Sequence, residues 1–214
     1  MKLASQQTNR LKWLAWSTMG GIILYVMLVV VLHFLRPDYN PIFNAESDFG
    51  VGAFSFLMAI AFVLRGLLSF ALFAGLLLIN PPLAHARSGM IGLATWSVGS
   101  IILSIFPTDL EGVTRHTTHG AIHGLVAFLA FMGLLLAAFR LARSFRHADL
   151  WATLGDPLRI IAWLMLITFI SMFLDLGVEM TTPGLGYFGL LERIFIALGL
   201  LWLFLTARRL QTTV

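Results

Sequence analysis

Six long apolar stretches, separated by short polar breaks, leave this chain few ways to fold. At 1.5 Å of rise per residue, about 20 apolar residues carry a helix across the roughly 30 Å hydrocarbon core of a bilayer. Stretches near 13–35, 51–79, 89–106, 119–139, 158–178 and 187–207 are of that order. The sequence therefore predicts an all-α fold, an integral membrane bundle of six transmembrane helices that forms a single domain over residues 1–214. Composition agrees: 11% of the residues are charged, where a soluble domain carries about 25%.

Breakers mark the gaps between stretches. Pro37 and Pro41 forbid helix after the first one, and Ser47 or Asp48 is placed to cap the second. Asn80, Pro81 and Pro82 end the second, Pro107 and Gly112 make the turn after the third, and the Asp156-Pro157 pair reads as the start of the fifth. The first stretch is longer than a signal-peptide core and lacks a small-residue cleavage site, so it is read as a retained helix.

Orientation follows from the basic residues. Lys2, Arg10, Lys12, Arg87, Arg140, Arg143, Arg146, Arg159, Arg208 and Arg209 fall on one side of the six spans, and only Arg36 and Arg115 on the other. The positive-inside rule then puts both termini in the cytoplasm and the protein in the inner (plasma) membrane as a multi-pass chain. Because these cations sit in short clusters between apolar runs, they report topology rather than a nucleic-acid partner. The absence of cysteine excludes disulfides, thiolate nucleophiles and Cys-ligated metals.

Most other ionisable residues gather on the opposite, outward side. Phe106 to Val126 holds Asp109, Glu111, Arg115, His116, His119 and His123 between two apolar runs, and His116, His119 and His123 share one helical face. Asp175 lies about a turn inside the fifth span, Arg65 lies near the middle of the second, and Glu192 and Arg193 lie six to seven residues into the last, roughly 10 Å below its outer end. An unpaired charge at the bilayer centre costs about 3 kcal/mol or more, so these groups should face the bundle interior and find partners. Arg65 and Arg193 are expected to be balanced by Asp175, Glu192 or a carboxylate of an outer loop. A buried ion network that only fixes helix register and a ligand or proton site both fit that pattern. His119 and His123, one turn apart, have the spacing of a metal pair, with Asp109 available as a third ligand; hydrogen bonds to loop carboxylates are the other use of such histidines. Gly120 and Gly124 read as a close-packing pair.

Three segments together resemble a known family. The loop RPDYNPIFNAESDFG, the FPTDLEG turn followed by THGAIHGLVAF, and GLLERIFIALGLLW in the last span are similar, in that order, to the domain-of-unknown-function 998 membrane proteins of bacteria and archaea. The resemblance implies a six-helix inner-membrane protein with an outward-facing polar site, to which Asp48, Pro107, Asp109, His123, Glu192 and Arg193 carry over. His119 and Arg65 depart from the pattern, which weakens a metal site built on His119. The resemblance supplies no activity.

The leading functional expectation is an extracytoplasmic pocket lined by Asp48, Asp109, His123, Asp175, Glu192 and Arg193 that binds a small polar ligand or lipid headgroup without a cofactor. Arg193 would hold an anionic group there, and His123 would tune the site with pH. The alternative is a metal-dependent membrane hydrolase acting on a lipid or amide, with Asp109, His119 and His123 holding zinc and Glu192 as general base. A structural partner subunit is the third reading.

Overall fold

The computed structural model describes residues 2–79, 86–109, 117–181 and 185–213, with side chains left aside at 2–5 and at 179–180. Glu111, Arg115, His116 and His85 lie outside the described residues, as does the side chain of Glu179. The described residues form six helices: α1 (Lys2–Leu35), α2 (Ser55–Ile79), α3 (Ala86–Leu103), α4 (Thr118–Phe145), α5 (Ala152–Thr181) and α6 (Phe188–Thr212), with a short 3-10 turn at Glu46–Gly50. No strand occurs among the described residues.

Each helix packs on its neighbours in sequence, and α6 returns to α1, so the helices form a closed ring. Contacts of α6 with α2 and α4 fill its middle. Connections alternate between two ends. At one end Gln7 of α1 donates to the Leu78 carbonyl of α2 (3.3 Å), and Arg209 of α6 donates to the Leu150 carbonyl before α5. At the other end lie the 36–54 loop and the starts of α4 and α6.

Five helices are long and apolar enough to cross a membrane: α1, α2, α4, α5 and α6. Large apolar side chains such as Trp13, Phe34, Leu125 and Leu174 cover their outer faces, as expected of surfaces solvated by acyl chains. The third expected span is the different one. Rich in glycine, serine and threonine and carrying Arg87, α3 has 18 residues and is not among the five. Its small residues serve approach instead. Gly92 faces the backbone of Gly133 and Ala137, and Gly99 faces Ala130, which makes α3 and α4 the most intimate pair in the bundle.

Helix limits depart from the sequence expectation for local reasons. The polar start of α1 contains no breaker and simply extends the apolar helix back to Lys2. Gly52 (φ +78°) and Phe54 (φ +61°) delay α2 to Ser55. At the fifth helix, Pro157 sits inside rather than at the start, because Ala152 to Asp156 form a turn ahead of it; only one helical hydrogen bond is forfeited.

Candidate functional site

The 36–54 loop shapes the polar end, and two arginines fasten it. Arg36 follows α1 directly and forks onto Asp38 at 2.8–3.2 Å, while its other terminal nitrogen donates to the carbonyls of Val51 (2.8 Å) and Ala53 (2.9 Å). It also lies over the Tyr39 ring, 4.2 Å from the centroid. The start and end of the loop are thereby closed on each other. This pairing holds the Asp38 carboxyl below its usual range and pushes the Arg36 guanidinium up.

Arg193 fastens the same loop to α6. One terminal nitrogen donates to the carbonyls of Asn44 (2.6 Å), Pro41 (3.0 Å) and Gly189 (3.0 Å), and Nε donates to Nε2 of His33 on α1 (3.3 Å). His33 Nδ1 meets the Val29 carbonyl at 2.7 Å, and a carbonyl can only accept. His33 Nδ1 is thus the donor to Val29, and Nε2 faces Arg193. Backbone contacts complete the seam: the otherwise unsatisfied N–H groups of Gly189 and Leu190 donate to Phe43 and Ile42. Glycine at 189 is required here, since a Cβ would collide with the Asn44 carbonyl.

Beneath the loop runs a buried polar chain that crosses the bundle. The backbone N–H of Glu46 donates to Glu192 Oε2 at 2.5 Å. Tyr25 of α1 donates its hydroxyl hydrogen to Glu46 Oε1, and Arg65 of α2 donates to the Tyr25 oxygen (3.3 Å) and to Ser100 of α3 (3.1 Å). Arg65 is 1% exposed, its guanidinium 4.4 Å from the Trp96 ring centroid and 4.9 Å from that of Phe62. Asp48 is buried within electrostatic reach of Glu192. No carboxylate among the described residues forms an ion pair with Arg65 or Arg193. Arg65 meets its acid through a tyrosine hydroxyl, rather than by the direct pairing the sequence led us to expect.

Residues 19–209 match the model of the family described as "Protein of unknown function (DUF998)". The chain belongs to the DUF998 family. No curated protein and no solved structure matches it. The match spans all the positions that carried the resemblance, from Asp48 to Arg193.

Of the predicted site residues in this DUF998 protein, Asp48, Glu192 and Arg193 come together; the other three serve helix ends. Asp175 accepts the Tyr187 N–H with both oxygens (2.8 and 2.9 Å), ahead of α6. Asp109 accepts from the Thr117 backbone (3.0 Å) and hydroxyl (2.5 Å), and Thr117 caps α4 through the Gly120 N–H. Gly120 is needed there because a Cβ would strike the Asp109 carboxylate, whereas a Cβ on Gly124 would meet nothing within 4 Å. The two glycines are thus not a matched packing pair. His123 is buried, its Nδ1 2.7 Å from the Phe106 carbonyl. His119 is exposed, with its ring 5.4 Å from that of Phe106. Among the described residues no three His, Asp or Glu side chains are grouped as a metal ion requires.

Sequence reasoning left Tyr25 and Glu46 out of the site, although they form its centre. Tyr25 gives the one signal that was available: a tyrosine within an apolar span must find a partner for its hydroxyl. Arg36 and His33 gave no such signal, since both stand at a helix end where solvation is the ordinary expectation.

Proposed function

We propose that this is an inner-membrane protein of six spans with both termini in the cytoplasm. Its 36–54 loop then faces outward and covers a site for a small polar ligand or lipid headgroup that bears a positive group. Glu192, Glu46 and Asp48 are the binding groups in this reading. Arg193 holds the cover, and Asp109, His123 and Asp175 fix the surrounding helix ends. The bonds to three carbonyls and His33 use Nε and one terminal nitrogen of Arg193, and its other terminal nitrogen, buried without a hydrogen-bond partner among the described residues, keeps the anion-holding role expected of it.

One observation carries the reading. Glu46 and Glu192 are both buried, at 5% and 6% exposure, and Glu192 accepts from the Glu46 backbone N–H, yet no cation lies within ion-pair distance of either carboxylate among the described residues. A carboxylate held away from water destabilises a fold unless a proton or a positive charge neutralises it, and Arg65, reached through Tyr25, serves Glu46 but not Glu192. An ammonium group delivered to Glu192 supplies that charge, with the carboxylates as charge-assisted acceptors. No comparable observation favours the metal-dependent hydrolase.

The test uses purified full-length protein in detergent, unfolded thermally with ethanolamine, with short-chain phosphatidylethanolamine, or with the matching phosphatidylglycerol. An amine-bearing probe at 100 times its Kd should stabilise the fold by about 2.7 kcal/mol, and Glu192→Gln should abolish that increment. Equal shifts in wild type and Glu192→Gln, or none with either amine, would overturn the binding site. Topology is read separately. Because the chain contains no cysteine, single cysteines introduced as Ile42→Cys and Asp149→Cys report sidedness directly. The first should react with a membrane-impermeant thiol reagent on intact cells, the second only after permeabilisation; the reverse pattern would invert the orientation.

A further inference from the structure

The opposite end of the bundle holds a second polar feature, with the other sign. Between the end of α4 and the start of α5 lies a cavity of about 460 Å³ lined by Arg140, Arg143, Arg146 and Arg159, with Phe139 and Trp163 as its apolar wall. The arginines come from both helices. Arg146 and Arg159 share the single carboxylate of Asp156, at 3.2 and 4.0 Å. Arg140 and Arg143 have no hydrogen-bond or ion-pair partner among the described residues. Four arginines lining one cleft, all of them exposed, with one carboxylate paired among them leave an excess of positive charge at its mouth.

The cavity is also layered. Phe139 lies one turn before Arg143 on α4, and Trp163 one turn beyond Arg159 on α5, so both aromatics stand on the side of the apolar middle, roughly 6 Å deeper than Arg143 and Arg159, with Arg140 about 1.5 Å from the level of Phe139. Their rings meet edge to face with centroids 5.0 Å apart. We infer that this cleft binds the phosphodiester of an anionic phospholipid, with the phosphate among Arg140, Arg143 and Arg159 and the glycerol and upper acyl chain against Phe139 and Trp163. Guanidinium groups suit phosphate because their planar forks donate two parallel hydrogen bonds. Basic pockets between membrane helices recognise anionic headgroups on that basis. A soluble phosphate ester would use the same arginines; the aromatic layer, which only a lipid would cover, decides for the lipid. Charges that served topology alone would have no reason to share a cavity; Arg208, at the same end and as exposed as these four, lies outside the cleft lining.

Native mass spectrometry of the full chain in detergent tests this, with phosphatidylglycerol, phosphatidylcholine and inorganic phosphate as probes. Phosphatidylglycerol should bind in preference to phosphatidylcholine. Each arginine lost should weaken it about fivefold, the factor that corresponds to roughly 1 kcal/mol. The double variant Arg140→Gln/Arg143→Gln should therefore bind roughly 25-fold more weakly, while Arg208→Gln stays within about twofold. Arg159→Gln, on the other helix, repeats the test should the double variant not fold. Equal binding of the two lipids, or equal loss in Arg208→Gln, would reduce the cluster to topology; displacement of the lipid by inorganic phosphate at equal concentration would make it a soluble-anion site. Neither result bears on Glu192, which lies at the other end and answers to a different probe.

Discussion

Replacing Arg65 with alanine is expected to destabilise the protein by about 3–5 kcal/mol, the range found when one member of a buried polar assembly is removed. For a chain of this length that lowers the thermal midpoint by roughly 10 °C. The reason lies in how many functions one side chain combines. Its Nε and one terminal nitrogen hold Ser100 of α3 and Tyr25 of α1, its face lies against Trp96 and Phe62, and its charge is the nearest counterweight to Glu46 beyond the tyrosine. Alanine removes all of these and leaves a void, since the side chain is among the largest that are fully buried. Arg65→Met separates the contributions. It restores volume without charge, so recovery of most of the loss would show that packing dominates, whereas a methionine variant as weak as alanine would show that the charge balancing Glu46 dominates. A thermal midpoint for Arg65→Ala within about 2 °C of wild type would contradict the polar chain as a structural element.

The second large effect is expected at Gly92. A Cβ there would overlap the Gly133 carbonyl oxygen and approach the Ala137 nitrogen, which are backbone atoms that cannot swing aside. Overpacking typically costs about 1–3 kcal/mol when side chains can adjust. With backbone as the obstacle, Gly92→Ala should reach the top of that range, and Gly92→Val should separate α3 from α4 and abolish recovery of monodisperse protein. Gly124→Ala is the matched control: its Cβ meets open space, and alanine is favoured over glycine in a helix by about 1 kcal/mol. Its midpoint should be unchanged or higher. If Gly92→Val purifies and melts like wild type, the α3–α4 seam is not as close as described.

The helices were legible in the sequence because apolar runs of this length have one ordinary solution. Their ends were less so, because propensity continues a helix past its apolar part wherever no breaker stands, as at Lys2 and beyond Phe139 to Phe145. At the site, depth in the membrane singled out Glu192, Arg193 and Arg65 correctly as residues that need partners. Which partners they find depends on where the 36–54 loop lies, and no spacing along the chain encodes that. Local chemistry also overruled long-range expectation. Asp109 stands eight residues from Thr117 and is taken up by the α4 cap, and Asp175 is taken up by the N–H of Tyr187. Asp109 and Asp175, grouped with His123 in the expected site, thus serve helix ends, while a tyrosine that looked like part of an apolar span joins the charged groups.

The bond between Glu46 and Glu192 spans 146 residues, and that between Asn44 and Arg193 spans 149. During synthesis the Asn44 carbonyl and the Glu46 N–H therefore wait unmatched until α6 leaves the insertion machinery. A nascent chain truncated before α6 would expose those groups to quality-control proteases.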